Sequence, residues 1–572
     1  MRVQLQNNQW RSMLEWIRSI WRRFGRGGVD TAQDIAHNGR KRVEFEDQLA
    51  KANLHLRALE LEIALSCVSS ALQIDPQSSR AHSTAAAIHQ QLHDQESALD
   101  HLTLAAYWSP ADWELVNARA SLLERMNQGS LAVAALDAFL SANQEHPAAT
   151  YKLSRLYYSL GRHDEAVHCL RRWLLVDPKN VEALNLLGLI EGREFGRLGE
   201  AERVLTLALT ISPGQPEVLS NLGWVQSEQG RTNEAIACFD AVLQRDSDDH
   251  ESRLMRSYAH LRNGAFADGW RDFDARHFSP LAPIQRNEEK SPCDSLHSMR
   301  GKRVFVLSEQ GLGDQIMFAS CFPDLLAVAG VCTADCDPRL VTLFQRSFPT
   351  VQFLGRSPHE TVTKSVWGEF DCQIPLGSLP RFFRNAWDDF PSHRGYLRAD
   401  PIKVAAWQKR LAELGPGPWI GLSWRGGARL TRTQLRSIPL DIWRELLRGG
   451  AQFVSLQYGD CADEVKQFNR DHGLSVHHWP DVLADYDETA ALVTALNLVV
   501  SVCTAIVHLS GALGRPVLVL TPATPEWRYL GSGRRMPWYP SVTLFRQSLG
   551  ESWDDVLRRL ATVLPFASNG LK

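Results

Sequence analysis

The run Leu496-Asn497-Leu498-Val499-Val500-Ser501-Val502, followed by Cys503-Thr504-Ala505, decides the architecture of the carboxyl-terminal half. It reads as a buried strand that turns into a helix carrying His508 and closing at Gly514. Pro516-Val517-Leu518-Val519-Leu520 then begins another buried strand. Strand, short turn and helix in this order place backbone N–H groups and a positive helix end at the carboxyl edge of the strand. Such a corner is a seat for phosphate, or simply part of an ordinary βαβ unit.

Upstream of this corner, strands alternate with helices from Lys302 onward, the signature of a parallel, doubly wound sheet. Val304-Phe305-Val306-Leu307 is the first strand and feeds Ser308-Glu309-Gln310-Gly311-Leu312-Gly313-Asp314, from which a helix runs from about Gln315 into Leu326. Gly311 and Gly313 let the backbone come close to a ligand, and Asp314 at the helix entrance either caps the helix or faces a cleft. A second α/β half begins near Trp419, with a strand through Trp424 and then Arg425-Gly426-Gly427. Arg425, Arg429, Arg432 and Arg436, with Thr431 and Ser437, crowd what should be a cleft-edge loop; they either neutralise a diphosphate or are merely solvated. Phe453 to Gln457 is the next strand. Two such halves imply a cleft between them.

The amino-terminal half repeats itself. Ala64, Ala98, Ala132, Ala166, Ala201 and Ala235 are separated by 34, 34, 34, 35 and 34 residues, and Gly269 follows 34 later. Pro76, Pro110, Pro178, Pro213 and Ser247 stand twelve residues after most of them. Each unit reads as two amphipathic helices with a small residue where they cross and a turn that ends the pair. Leu187-Gly188, Leu222-Gly223, Gly230 and Phe239 fill further positions of the same pattern. The period and pattern resemble the tetratricopeptide repeat, which implies an α solenoid of about seven units over residues 45–277 with a groove for peptides or partner proteins. A rigid spacer or an oligomerisation arm is the other use of such a stack. His82, His89 and His93 read as solvated or packed side chains rather than metal ligands.

Composition sets the outer limits. A chain of 572 residues holds two or three domains, and a net charge of −3 argues against bulk binding of nucleic acid. The ten cysteines are scattered, without zinc-ligand spacing. No apolar run reaches the roughly 20 residues that span a bilayer. With no secretory signal either, a cytoplasmic location is expected. The segment 1–30 is basic and amphipathic: Trp10, Met13, Leu14, Ile17 and Trp21 fall at helical spacing among Arg11, Arg18, Arg22, Arg23 and Arg26. It suits an interfacial membrane helix, a cap on the next domain or a frayed end, so peripheral membrane contact stays open.

Taken together and in order, Glu309 to Asp314, Trp424-Arg425-Gly426-Gly427, Arg436-Ser437-Ile438-Pro439-Leu440, Cys503 to Gly514 and Pro537-Trp538-Tyr539-Pro540 resemble the heptosyltransferase-like glycosyltransferases of family nine. More closely, the chain looks like bacterial proteins in which tetratricopeptide repeats precede such a domain. The resemblance implies a GT-B fold of two Rossmann-like halves, the acceptor side over 301–400 and the nucleotide-sugar side over 401–565, joined to the repeats by a linker at 278–300. It implies Asp314 as general base in an inverting transfer, with Glu309 in reserve and His508 on the catalytic face. The donor would lie against Gly311, Gly313, Arg425, Gly426, Gly427, Arg432, Arg436, Gln457, Cys503, Thr504 and Ala505.

One departure stands out: many heptosyltransferases have Asp before the Thr, where this chain has Cys503. That puts heptose in doubt as the sugar. Asp335-Cys336-Asp337 has the form of a metal-binding DxD motif, but a turn and a helix cap explain it, so no metal or other cofactor is expected. Trp527, Arg528, Tyr529, Trp538 and Tyr539 either stack on a base or sugar or pack onto the core. The expected partners are a nucleotide sugar and a protein or glycan acceptor recruited partly by the repeats. A scaffold with a degenerate, inactive α/β module is the rival, and a nucleotide-sugar epimerase a third reading.

Overall fold

Small residues at a fixed spacing determine the amino-terminal half. The computed structural model describes residues 32–278, 291–356, 370–427, 433–448 and 450–564, with side chains from residue 39 onward. The amphipathic segment 1–30, Arg429, Thr431, Arg432 and residues 279–290 of the expected linker lie outside the described residues. The chain divides into two compact units, the first ending at Ile190 and the second beginning at Glu191.

In the first unit helices alternate in antiparallel pairs: Ala32–Arg57 with Leu61–Ile74, Ser79–Gln91 with Gln95–Trp108, Trp113–Arg125 with Gly129–Ala142, and Pro147–Ser159 with His163–Val176. Ala64, Ala98, Ala132 and Ala166 are each fully buried in the second helix of their pair, where any larger side chain would push the helices apart. Side chains of Ser78, Asp94 and Asp112 cap their helices by accepting backbone N–H groups. Within each pair the chain turns through a left-handed residue, Leu59, His93, Asn127 and Gly161 in succession, again 34 apart. His93 is therefore a turn residue, whereas His82 is buried and its Nδ1 lies 2.9 Å from Nδ1 of His101.

The second unit continues the pattern with Leu198–Ile211, then Pro216–Glu228 paired with Thr232–Leu243, and His250–Arg262 paired with Phe266–Phe273. An alanine at Gly269 would place its Cβ 2.6 Å from Leu261 Cγ, so only glycine lets the last two helices cross. This last pair shares one core with the α/β region: Leu261, Phe266, Trp270 and Phe273 pack with Met317, Phe318, Trp527 and Trp538. Trp270 also donates its Nε1–H to the Arg384 carbonyl at 2.8 Å.

The first α/β half is a parallel sheet of β1 (Ser291–Pro292), β2 (Arg303–Leu307), β3 (Val331–Cys336), β4 (Val351–Gly355) and β5 (Cys372–Pro375) in the order β1-β5-β2-β3-β4. The second has β6 (Trp419–Ser423), β7 (Gln452–Ser455), β8 (Val476–His477), β9 (Leu498–Val502), β10 (Val517–Thr521), β11 (Arg535–Met536) and β12 (Tyr539–Arg546). Its order is β11-β12-β10-β9-β6-β7-β8, and only β11 runs antiparallel. The chain is thus an α solenoid followed by an α/β region of two sheets, parallel throughout except for β11. The central strands β2, β6 and β9 are apolar almost throughout because both faces are covered.

Candidate functional site

Two strand-to-helix corners, one from each sheet, meet at glycine. After β2 the chain runs through Ser308 to Gly311 and enters the helix Leu312–Phe318; after β9 it passes Cys503 and Thr504 into the helix Ala505–Ala512. A Cβ on Gly313 would stand 3.0 Å from His508 Cδ2 and 3.4 Å from Ala505 Cα. Gly313 therefore admits the neighbouring helix start. Gly311 is the N-cap of its helix, and its carbonyl accepts the N–H groups of Asp314 and Gln315 at 3.0 Å each.

Asp314 looks across the junction to Arg528. Its Oδ1 accepts Nε of Arg528 at 2.7 Å and also Nη2 of the same guanidinium. Arg528 Nη1 donates to Glu526 Oε2 at 3.0 Å, and Arg436 Nη1 lies 2.8 Å from Glu526 Oε1. The four side chains form an alternating row, Asp314, Arg528, Glu526, Arg436, each between 11% and 21% exposed. Burial opposes the charge on Arg528, but Asp314 and Glu526 outweigh it and hold the guanidinium above its ordinary pKa.

Around this row the groups are neutral. Burial, reinforced by Arg528, pushes His508 down to about 3, so its imidazole is uncharged near neutrality; Nδ1 lies 3.1 Å from the Tyr539 hydroxyl. Burial pushes the Cys503 thiol up to about 12, and its Sγ points to the Leu520 carbonyl at 3.8 Å. Cys503 is a neutral packing group rather than a nucleophile. Thr504 occupies the N-cap of the helix Ala505–Ala512, yet its Oγ1 lies 3.1 Å from Ser501 Oγ and makes no capping bond to the helix. Val507 N–H donates to the Thr504 carbonyl at 3.1 Å, so it is the N–H groups of Ala505 and Ile506 that no side-chain cap takes up.

The Gly-Gly loop closes beside Thr504. Gly426 N–H donates to the Arg436 carbonyl at 3.0 Å, and Arg425 and Ser437 form an antiparallel bridge. A Cβ at Gly426 would lie 2.6 Å from the Cys503 carbonyl oxygen and 3.0 Å from Thr504 Cγ2, so the close approach requires glycine. Gly427 is left-handed, with φ 83°. Two of the expected ligands are occupied elsewhere. Arg425 turns outward to Glu464, at 2.9 Å. Gln457 is a backbone clamp: its Oε1 accepts the N–H groups of Trp424 and Arg425 at 3.0 and 2.8 Å, and its Nε2 donates to the Arg425 and Tyr458 carbonyls at 3.1 and 3.0 Å. Arg432 lies outside the described residues.

Glu309, the reserve base, is likewise committed. It is 7% exposed, ion-paired with the 6%-exposed Arg276, and accepts Gly377 N–H at 3.0 Å. Arg276 follows the last repeat, so the solenoid's final turn pins the loop that carries Asp314. In the Asp335-Cys336-Asp337 segment, Asp335 lies one residue before the end of β3 and accepts Arg356 Nε at 2.6 Å, while Asp337 caps the next turn through Arg339 N–H at 3.0 Å. Among the described residues no three His, Cys, Asp or Glu side chains gather as a metal site would require. Trp527, Tyr529, Trp538 and Tyr539 are buried against the core, leaving Arg528 as the member of that tail that reaches the junction.

Motif reading named Arg528 only as part of the aromatic tail and did not name Glu526; Asp314 and Arg528 are 214 residues apart, and no local spacing links them. Tyr258 joins them from the last repeat. Its helix packs against the turn Trp527–Tyr529, and Gly531 N–H donates to the Arg262 carbonyl at 2.7 Å. Burial raises the Tyr258 phenol, opposed first by the nearby charge of Arg528.

Comparison with known proteins agrees with the first half of this description. A tetratricopeptide-repeat family model matches residues 125–190 and 193–257. Protein FlbA of Caulobacter vibrioides is 29% identical over 463 residues, covering 77% of this chain and 76% of that protein, too long a match to lie within the repeats alone. The human protein O-mannosyl-transferase TMTC1 is 27% identical over 164 residues, 28% of this chain and 18% of its own. Among solved structures, a tetratricopeptide repeat protein from Parabacteroides merdae is 19% identical with a TM-score of 0.35, covering 43% of this chain and 95% of its own. YrrB, described as a TPR protein with an unusual peptide-binding site, is 17% identical with a TM-score of 0.27, covering 32% and 95%. Among the described residues no helix is long and apolar enough to cross a membrane.

Proposed function

We propose that the chain is a glycosyltransferase of GT-B organisation that moves a sugar from a nucleotide-sugar donor to an acceptor hydroxyl, with the repeats recruiting a protein or glycan acceptor. The observation that carries this reading is the junction itself. A carboxylate, Asp314, stands at one strand-to-helix corner, and an uncapped helix start flanked by Arg436 and Arg528 stands at the other. Asp314 acts as general base: its Oδ2, which faces Gly311 at 3.8 Å from a would-be Cβ, takes the acceptor proton. The acceptor oxygen then bonds to the anomeric carbon as the bond to the diphosphate oxygen breaks, with inversion and no covalent intermediate. The charge that grows on the leaving diphosphate is met by the guanidinium groups and by the N–H groups of Ala505 and its neighbours. His508, neutral and bonded to Tyr539, positions this helix and is not a proton donor.

The same arrangement favours a second reading in one respect. Cys503 replaces a fixed negative charge with a neutral thiol, which suits a scaffold whose α/β half no longer turns over. A thermal-shift titration of the whole protein with UDP, GDP, ADP, CDP and dTDP, with and without chelator, separates the two. A ligand that binds the folded state raises the melting temperature, by about 2.7 kcal/mol of stabilisation at a hundred times its dissociation constant. One chelator-insensitive responder, followed by turnover of the matching nucleotide sugar, supports transfer without metal. No responder at millimolar concentration leaves the scaffold.

A further inference from the structure

The row Asp314, Arg528, Glu526, Arg436 contains a carboxylate that the transfer reaction does not use. Glu526 lies between two guanidinium groups, 3.0 Å from Arg528 Nη1 and 2.8 Å from Arg436 Nη1, one oxygen to each. It is 21% exposed, so water and solutes reach it, while both arginines are more deeply buried at 16% and 11%. The backbone of Arg436 meets Gly426, which in turn contacts Thr504 at the uncapped helix start. The Glu526 carboxylate is close enough to act electrostatically on Cys503 and His508, on either side of this helix start, so an anion belonging to the chain already sits near the end where an anionic ligand is favoured.

We propose that Glu526 is a built-in stand-in for the donor's diphosphate: its carboxylate holds Arg436 and Arg528 in place until a diphosphate displaces it. This rests on the donor-site reading above and adds to it a competition between side chain and ligand. Two bidentate-capable guanidinium groups match the several oxygens of a diphosphate better than the two oxygens of one carboxylate. The exchange also reaches Asp314, because Arg528 is shared between Asp314 and Glu526 and a diphosphate taking the place of Glu526 draws on the same guanidinium that holds Asp314. Without the donor, the row stays neutral in sum and the base is held by its arginine. Donor binding precedes productive acceptor binding on this scheme.

The test is isothermal titration of the full chain with inorganic pyrophosphate, the five nucleoside diphosphates and the corresponding nucleosides. Glu526→Gln keeps the shape and removes the competing charge, and it should tighten diphosphate binding about tenfold while leaving nucleosides unchanged. Arg528→Gln should weaken diphosphate binding by about the same factor. Should that variant fold poorly, Arg528→Lys, which keeps the charge without the fork, should weaken it less but measurably. If the wild type binds a nucleoside diphosphate and Glu526→Gln binds it equally or more weakly, Glu526 is a structural strut and the stand-in is overturned, with the donor site intact. If neither wild type nor Glu526→Gln binds any diphosphate, the stand-in and the donor-site reading fall together.

Discussion

Replacing Arg276 by Met tests how the last repeat supports the loop that carries Asp314. Arg276 donates to Glu309 through Nε at 2.9 Å and through Nη2, to the Phe273 carbonyl at 2.9 Å, and to Asp274 at 2.8 Å. Without it, Asp274 keeps Arg381 at 2.6 Å and Ser378 Oγ at 2.6 Å, but the only bond that remains among those described for Glu309 is Gly377 N–H. A carboxylate only 7% exposed is then left without its counter-charge in a low-dielectric setting. Breaking one side of a buried pair costs about 3–5 kcal/mol. The double variant Arg276→Met/Glu309→Gln removes the stranded charge and should recover more than half of that loss.

The assay is urea unfolding followed by tryptophan fluorescence, since Trp270 and Trp527 pack beside Phe273, with the whole chain used and the two single variants completing a cycle. A single-variant cost below about 1 kcal/mol, the range of exposed ion pairs, would refute the reasoning. So would a double variant no better than Arg276→Met.

Asp314→Asn should lower sugar transfer by about 10²–10⁴-fold while leaving nucleotide affinity within about twofold, read by turnover and titration on the same preparation; undiminished turnover would remove Asp314 as base. His508 has a folded pKa of about 3 against an ordinary value of 6.5, so the unfolded chain binds more protons between these limits. The stability it contributes is full above about pH 6.5 and is lost as pH falls toward 3; His508→Gln should flatten the melting-temperature profile in that window relative to wild type, and an unchanged slope would contradict the burial argument. Deleting residues 45–262 should yield insoluble protein, because Leu261 belongs to the α/β core and Arg262 accepts Gly531 N–H; deleting 45–190 should preserve nucleotide binding, and solubility of the first variant would show that the core closes without the last repeat.

The repeats were legible because helix crossing leaves room for one small residue per pair, and Ala64 through Ala235 are all fully buried at that crossing. The strands were legible because burial on both faces leaves an uninterrupted apolar run, as in Leu498–Val502. The site was only half legible. Asp314, Thr504 and His508 sit at corners whose chemistry is local in sequence. Arg528 and Glu526 owe their position to the meeting of two sheets, and an aromatic tail hid them. Gln457, expected beside the donor, and Glu309, the reserve base, are taken up by other partners for the opposite reason. Nothing in a sequence tells whether a polar side chain faces a cleft or is consumed by nearby backbone, as Gln457 is by Trp424, Arg425 and Tyr458.

The turn inside each helix pair has a consequence for how the stack comes apart. Its left-handed residue is Gly161, Gly196, Gly230 or Gly264 in the later repeats, but Leu59, His93 and Asn127, at φ 60°, 59° and 56°, in the first three. A side chain there costs about 1–2 kcal/mol where glycine costs little, least for Asn. In a repeat array each unit leans only on its neighbours, so such local penalties are not averaged over the whole. By this contribution alone the turns at Leu59, His93 and Asn127 are the weaker ones and the glycine turns the stronger. Such a difference favours opening at the earliest repeats, where a binding partner would supply the most order.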